Sequence, residues 1–187
     1  MSKRKNEILQ TAIEMIADEG YASLTMRALA RANNIKLGTL QFHFRTYEDM
    51  LRALLAYIKQ AYEKSFLAHQ ASDTPLSLQE IVIFVLDDEA GNTLCGDQLW
   101  PQLWAMQQVE PLVSDLVEDI YAYYLEILEQ ALTRHGSRAP QTEALALISL
   151  LEGSTIFLSH GRRWAKDADA VRTAVLEFID NHYGDKT

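Results

Sequence analysis

The residues with the clearest capacity for chemistry lie between positions 25 and 48, where polar and apolar side chains alternate at helical spacing. Two short helices joined by a tight turn fit this stretch, as in a helix-turn-helix. On the second helix, over about 36–43, one face is polar: Lys36, Thr39, Gln41 and His43. The opposite face is apolar: Ile35, Leu40 and Phe44. Such donors and acceptors suit base edges and phosphates in a DNA major groove, although any amphipathic helix shows the same division.

No other set of residues in the sequence indicates catalysis or metal binding. The five histidines form no His-x3-His or Glu-x2-His pair, and His69 with Asp73 has helical spacing only at a predicted helix end. A single cysteine, Cys95, leaves no partner for an internal disulfide or a cysteine-rich zinc site. We therefore expect no enzymatic activity, no cofactor and no metal. A helical-bundle enzyme is the alternative, and a cofactor bound to purified protein would favour it.

Charge is distributed unevenly along the chain. Residues 1–47 hold seven basic and four acidic residues, and residues 48–187 hold ten basic and 22 acidic ones. Because residues 1–47 are basic and the rest of the chain is acidic, only the N-terminal part can approach a polyanion closely. The excess of positive charge in this part is small. The sequence contains no apolar run long enough to span a membrane, and its basic start lacks the apolar stretch of a secretory signal. We expect a cytoplasmic protein.

Helical periodicity runs through the whole chain and predicts an all-α protein of about nine helices. Gly20 is expected to end the first helix, Thr25 to cap the second, and Asn33–Asn34 to form the turn before the third. A fourth helix begins near Thr46 and runs to about His69. Later breaks are expected at 72–75 and at 91–92, with a helix at 77–88 between them. A kinked or divided helix at 93–108 contains Pro101, and the last three helices begin at Pro111, at Pro140 and near 168.

This pattern divides the chain into two domains. Residues 1–47, which we call the head, form a three-helix helix-turn-helix DNA-binding domain. Residues 48–187, which we call the body, form a helical bundle for ligand binding and dimerisation. The fourth helix runs from the head into the body, so a tilt of this helix would move the head.

The motif residues of the head resemble the TetR family of transcriptional regulators. The resemblance rests on Gly20-Tyr21, on Thr25 to Ala30, on Ile35 to Leu40, on His43-Phe44 and on Glu48, in this order and with the family's spacing. It covers about 45 residues, from Ile8 to Leu54, whereas the body matches the family only in length and in its helical architecture. The resemblance implies an operator-binding dimer, usually a repressor, that is released by a small molecule.

The resemblance also implies roles for individual residues. Thr25 would cap the second helix and meet a phosphate, and Arg27 would reach DNA from the same helix. The recognition helix would contribute six residues: Lys36, Leu37, Thr39, Gln41, Phe42 and His43. Leu37 either contacts a thymine methyl group or completes the apolar face with Leu40 and Phe44.

Three positions depart from the family's pattern. Gln41 stands where the family usually has tyrosine, and glutamine can pair with adenine through two hydrogen bonds. Phe42 lacks the hydroxyl of the tyrosine that is common nearby. Tyr47, which we include among the DNA-binding residues, replaces the usual phosphate-binding lysine and removes a positive charge. The alternative function is therefore a helical ligand-binding or scaffolding protein that does not bind DNA.

Aromatic residues in the body predict a chamber for a mostly apolar effector, although a plain core would show the same composition. The predicted lining is Trp100, Trp104, Tyr121, Tyr124 and Phe157. Glu152 interrupts an apolar stretch. It would either face a cationic ligand against an aromatic wall or, as we favour, lie on a solvated or interfacial edge. The helix around 144–158 is apolar on two faces and the last helix has one apolar stripe. We therefore expect a homodimer through residues 140–182.

Overall fold

A computed structural model describes residues 2–70, 75–94, 98–159 and 161–183. Within these ranges the regular structure is helical, which confirms the all-α class. Ten α-helices follow one another along the chain: α1 Lys3–Glu19, α2 Met26–Ala32, α3 Leu37–His43, α4 Tyr47–Gln70, α5 Leu78–Asp87, α6 Glu89–Leu94, α7 Leu99–Met106, α8 Pro111–Arg134, α9 Pro140–Leu158 and α10 Ala168–Tyr183. The stretch 93–108, predicted to be one kinked helix or two short ones, holds α7 and the last two residues of α6. The separate helix α6 accounts for the tenth helix. The predicted break at 72–74, Cys95 and His160 lie outside the described residues.

The helix ends follow the local signals in the sequence. Gly20 ends α1 with a φ of 82°, which a residue with a side chain rarely adopts, and its N–H donates to the carbonyl of Ile16 over 3.0 Å. The hydroxyl of Thr25 caps α2 by accepting from the N–H of Ala28 over 3.1 Å. At α4, Thr46 and Asp49 cap each other: the N–H of Asp49 donates to the hydroxyl of Thr46, and the N–H of Thr46 donates to the carboxylate of Asp49.

The break predicted at Gly91–Asn92 is wrong, because both residues lie inside α6. The chain turns instead at Asp88, which ends α5 in the left-handed region with a φ of 35°. Aspartate enters this region at a lower cost than most residues. Pro101 lies in the first turn of α7, where its missing N–H would have no partner within the helix.

The chain forms two compact units. The first unit contains Met1–Ala68 and Ala90–Glu118, and the second contains His69–Glu89 and Asp119–Thr187. The head therefore shares a compact unit with most of α4 and with residues 90–118. Compactness does not determine which residues act on DNA, so the functional division at residue 47 stays a prediction.

In the first unit, α1 packs against α2, against the turn at 21–23 and against α7, while α2 packs against α3. The buried side chains of α1 are Ile8, Leu9, Ala12, Ile13, Met15 and Ile16. The predicted stripe of α4 is also buried: Met50, Leu51, Leu54, Leu55 and Ile58. These apolar faces hold the helices of the head, α1, α2 and α3, in place.

In the second unit, α5 packs against both α9 and α10. A capping box starts α5: the Ser77 hydroxyl accepts from the N–H of Glu80, and the Glu80 carboxylate accepts from the N–H of Ser77. The hydrogen bonds that the N–H and the hydroxyl of Ser77 donate to the Glu80 carboxylate hold its pKa below the ordinary value. Arg172 of α10 pairs with Asp87 of α5 over 2.7 Å. None of the described helices combines the length and the apolar composition that crossing a lipid bilayer requires.

Candidate functional site

The turn between α2 and α3 is held by backbone hydrogen bonds. Asn34 occupies the left-handed region with a φ of 54°, as the predicted Asn33–Asn34 turn requires. The N–H of Ile35 reaches back to the carbonyl of Ala30 over 3.0 Å, and the side-chain amide of Asn33 donates to the carbonyl of Leu29, also over 3.0 Å. These bonds use the carbonyls at the end of α2 and fix the direction in which α3 begins.

The buried side of the helix-turn-helix is apolar, as the periodicity predicts. Leu29 and Ala30 of α2 are buried, and so are Leu40 of α3 and Phe44, which ends α3. Ile35 in the turn is half-buried. The ammonium group of Lys5 in α1 lies 5.4 Å from the centre of the Phe44 ring. The orientation of α3 is therefore determined by a few side chains packed beneath it.

The outer side of α3 is exposed, and most of the predicted DNA-binding residues lie on it. The exposed ones are Lys36, Thr39, Gln41 and Phe42. Phe42 is 87% exposed, and its ring contacts the ring of half-buried His43 with 5.6 Å between the centres. Leu37 is half-buried, so it remains ambiguous between DNA contact and packing. The surface combines a cation, hydrogen-bonding groups and an aromatic ring.

The predicted contacts outside α3 have different surroundings. Thr25 and Arg27 are exposed on α2. Tyr47 is half-buried, and its hydroxyl donates to the hydroxyl of Tyr21 over 3.4 Å. That hydroxyl donates in turn to the carboxylate of Glu110 over 2.6 Å. Tyr47 therefore takes part in a hydrogen-bond chain within the first unit, and its contact with a phosphate stays a prediction.

This chain links the head to the segment before α8. Burial, followed by the hydrogen bonds to Glu110 and Tyr47, raises the pKa of Tyr21 far above its ordinary value. A second link runs from the side-chain amide of Gln10 in α1 to the carbonyl of Leu94 at the end of α6, over 2.8 Å. Sequence reasoning missed both links, because the bonded residues lie more than 80 positions apart and no local pattern pairs them.

Two of the predicted effector-binding residues lie in the first unit. The rings of Trp100 and Trp104 are in contact, with 6.2 Å between their centres. Tyr62 of α4 packs edge-on against Trp100 at 5.8 Å. Tyr62 and Trp100 are buried, whereas Trp104 is half-buried. The structure thus gives these tryptophans well-packed positions in α7.

The other three predicted effector-binding residues lie in the second unit. Tyr121 and Tyr124 of α8 are in ring contact at 6.5 Å, and Phe84 of α5 meets Tyr124 edge-on at 5.9 Å. Phe157 is 53% exposed and packs edge-on against Trp164 at 6.0 Å. That all five predicted residues line one chamber stays a prediction.

Glu152 of α9 lies beside the tyrosines of α8. Burial raises its pKa to about 7, and the nearby carboxyl group of Asp88 adds to this effect. The hydroxyl of Tyr121 acts in the opposite direction and limits this rise of the pKa. Glu152 is half-buried, so the favoured prediction of a solvated or interfacial edge and the alternative of a cationic ligand against an aromatic wall both stay predictions.

The second apolar face of α9 and the stripe of α10 are largely uncovered in the single chain. On α9, Leu147 and Leu151 are buried, whereas Leu150 is 47% exposed. On α10, Ile179 is buried and Phe178 is 41% exposed. The two-faced pattern read from the sequence is present in the structure.

Within the described ranges, no three histidine, cysteine, aspartate or glutamate side chains are grouped as metal ligands would be.

Comparison with known proteins places the head in a family. The family model of bacterial regulatory proteins of the tetR family matches residues 8–54. The HTH-type transcriptional repressor KstR2 of Mycolicibacterium smegmatis is 37% identical over 54 residues. That match takes in 29% of this chain and 26% of the relative, so it spans about a quarter of the relative's length.

Solved structures match the fold of the whole chain. A transcriptional regulator from Saccharomonospora viridis in complex with choline has a TM-score of 0.76 at 21% identity, with 97% of this chain and 98% of the other covered. A TetR-family regulator from Rhodococcus sp. has a TM-score of 0.73 at 22% identity, with 96% and 98% covered. The helix-turn-helix geometry, the family match over the head and the fold of both units agree. Residues 8–54 thus match the TetR family of transcriptional regulators, and the whole chain shares the fold of these solved structures.

Proposed function

We propose that this protein is a cytoplasmic repressor that binds double-stranded operator DNA as a homodimer and is released by a small molecule with a mostly apolar body. In this proposal α3 of each copy enters a major groove, residues 140–182 form the dimer contact, and residues 48–187 bind the effector. Repression is the activity stated for the relative KstR2.

The observation that carries the proposal is the outer surface of α3. An aromatic side chain that is 87% exposed, as Phe42 is, loses the free energy that its burial would provide. On the same surface, Gln41 and Thr39 offer donors and acceptors, and Lys36 offers a positive charge. Base edges, thymine methyl groups and phosphates together satisfy all of these groups.

Gly38 supports the same assignment. A glycine inside a helix costs about 1 kcal/mol relative to alanine. The structure gives no packing reason for it, since a Cβ atom added at Gly38 would meet nothing within 4 Å. A position without a side chain in the first turn of α3 lets a large partner approach the backbone there closely.

Dimerisation follows from the uncovered apolar faces of α9 and α10. Exposed Leu150 and Phe178 would be buried if two copies packed these helices about a two-fold axis. Two heads would then meet successive major grooves about 34–36 Å apart. Operator affinity would depend on this spacing, because a misplaced second head forms few of its interactions with DNA.

Effector release follows from the same geometry. A ligand that binds the body more tightly when the heads are wrongly spaced lowers the affinity for DNA. Moving the dimer from 1:99 to 99:1 between the two states takes about 5.5 kcal/mol of differential affinity, which burial of one drug-sized apolar molecule could supply. The related structure from Saccharomonospora viridis contains a small molecule, choline.

A gel-shift assay on DNA flanking the gene, followed by selection of the best site from random DNA, tests the proposal. Gln41→Ala should weaken binding to the best site by about 1–3 kcal/mol and relax the preference at one base pair. Gln79→Ala removes an exposed glutamine of α5 and should leave both quantities unchanged. Equal weakening of every DNA sequence by Gln41→Ala would contradict base readout by this residue.

The alternative is a helical ligand-binding or scaffolding protein without DNA binding. The engagement of the Tyr47 hydroxyl with Tyr21 favours it, because the family's phosphate-binding cation is absent at this position. The same selection experiment separates the two proposals. If no DNA sequence is enriched above the random background, the repressor proposal is wrong and the alternative holds.

A further inference from the structure

The exposed side of α3 carries an apolar ring beside an open stretch of backbone. Phe42 is 87% exposed, and its ring contacts the ring of half-buried His43 at 5.6 Å between the centres. Gly38 lies four residues earlier, so it occupies the same face of the helix one turn before Phe42. A Cβ atom added at Gly38 would meet no atom of the described residues within 4 Å. We call the Phe42 ring and the space over Gly38 the ring–glycine notch.

The packing of the head explains neither residue of the notch. Leu40 and Phe44 form the buried side of α3, whereas Phe42 faces water. Removal of an apolar ring from water is favourable, so the ring offers free energy to a partner that covers it. Gly38 is not among the residues with a positive φ, so its conformation does not require glycine. A partner that brings an apolar group into this space accounts for both residues.

The other exposed residues of this segment indicate what the partner is. Lys36, Thr39 and Gln41 offer a positive charge and hydrogen-bonding groups, which an apolar protein surface would leave unsatisfied. Residues 1–47 hold seven basic and four acidic residues, and this excess favours a polyanion. Among the base edges of the DNA major groove, the apolar group is the C5-methyl group of thymine. Duplex DNA therefore supplies an apolar group together with partners for the polar residues.

We propose that the ring–glycine notch reads a 5-methylpyrimidine, normally thymine, whose methyl group lies against the Phe42 ring and over the backbone of Gly38. The inference rests on the proposed function, because it names the group of the operator that this part of α3 recognises. The Cβ of an alanine is itself a methyl group, and it would fit at Gly38 without a contact. The space over Gly38 thus holds one methyl group, and an alanine side chain would exclude the methyl group of thymine from it.

Operator DNA in which deoxyuridine replaces each thymine in turn tests this inference, because deoxyuridine lacks only the methyl group. At one symmetric pair of positions, the wild-type affinity should fall by about fourfold for one half-site and about 15-fold for both, as expected for one buried methyl group each. Phe42→Ala and Gly38→Ala should each lose this preference for thymine. Leu67→Ala removes an exposed apolar side chain from α4 and should keep the preference. Fluorescence anisotropy of labelled operator measures these affinities.

Both variants should fold, because Phe42 is exposed and alanine favours a helix more than glycine does. The comparison of the two DNAs on the wild-type protein needs no variant. An operator without any thymine whose methyl group affects binding would overturn the proposal. A preference that persists in Phe42→Ala would also overturn it and would assign the methyl group to another residue, such as Leu37. So would a preference that persists in Gly38→Ala.

Failure of the proposed function has a different result. A protein that enriches no DNA sequence from a random pool contradicts the proposed function itself. Tight binding to a selected operator without a methyl effect contradicts this inference alone.

Discussion

The two regions that carry the proposed contacts differ in which side chains they expose to water. On α3, Gln41 and Lys36 are exposed, while Leu40 lies beneath the helix. In the second unit, Glu152 is half-buried while Phe178 is exposed. The polar groups of α3 face water, as folding favours, and exposed Phe42 is the exception on that surface. Exposure of Phe178 costs free energy in the isolated chain, and the proposed second copy would offset this cost.

The largest effect is expected at the exposed apolar face. Leu150→Glu combined with Phe178→Glu places charges where the proposed two-fold contact would exclude water, so the protein should become monomeric. Operator affinity should then fall by about a hundredfold or more, because the second head no longer binds as part of the same molecule. Sedimentation velocity and gel shifts measure the two quantities.

Leu67→Glu is the matched control for this face. It charges an exposed leucine of α4 and should leave the oligomeric state unchanged. If the double variant sediments as a dimer, or if the wild-type protein is monomeric at micromolar concentration, the contact lies elsewhere and the exposed faces need another explanation.

The next effect concerns stability and pH at Glu152. Its pKa in the folded protein, about 7, lies above the ordinary value of 4.5, so the folded state keeps a proton that the unfolded state has already released. The contribution of this group to stability is therefore fully present below about pH 4.5 and is lost as the pH rises to about 7. Glu152→Gln keeps the shape and removes the charge. It should raise the free energy of unfolding by about 2 kcal/mol at about pH 8 and by little in acid.

Urea unfolding of Glu152→Gln and of Glu126→Gln across this pH range measures the effect. The Glu126 variant should follow the wild-type profile. If the stability of Glu152→Gln follows the wild type at every pH, the carboxyl is better solvated than its surroundings indicate, and the contrast with α3 disappears.

A smaller effect is expected on the surface of α3. Lys36→Ala removes an exposed positive charge from the proposed interactions with phosphates. The plot of log affinity against log salt should flatten by about one for each phosphate that Lys36 no longer neutralises, hence by about two in a dimer, with a similar weakening on all DNA sequences. Lys166→Ala removes an exposed charge from the second unit as a control. A sequence-specific weakening with an unchanged salt slope would instead place Lys36 on a base edge.

The parts of the molecule that were predictable from the sequence depend on local interactions. Gly20, Thr25 and Asn34 determine helix ends through bonds to residues at most five positions away, so the pattern alone places α1, α2 and α3. The break near residue 90 was misplaced because Gly91 is the stronger turn signal in the sequence. Asp88 ends α5 first, and the helical conformation costs Gly91 only a modest amount.

The parts that were not predictable depend on contacts between distant segments. The apolar stretch around Glu152 marks this glutamate as unusual, but it does not identify Tyr121 and Asp88 as the groups that act on its pKa. The same is true of Tyr21, whose role in the family motif does not indicate a partner 89 residues away. Periodicity identifies which face of a helix is apolar, but it does not identify what covers that face.

The smallest effect is expected from removing the hydrogen bond from Tyr21 to Glu110. This change should alter how strongly effector binding in the body changes DNA binding by the head. Residues 90–118 share a compact unit with the head, and Tyr21 joins α1 and α2 to the residue just before α8. The fourth helix is therefore not the only connection through which a ligand could move the head. Tyr21→Phe removes the hydroxyl that donates to Glu110 and accepts from Tyr47, but keeps the ring.

The loss of one such hydrogen bond costs about 1 kcal/mol. The ratio of operator affinity without an effector to operator affinity with an effector should therefore shrink by about fivefold. Operator affinity without the effector should change less, because the surface of α3 is untouched. Tyr57→Phe, on a half-buried tyrosine of α4, is the control and should leave the ratio unchanged. Fluorescence anisotropy of labelled operator DNA, titrated with and without the effector, measures the ratio. An unchanged ratio in Tyr21→Phe would leave α4 as the connection through which the signal passes.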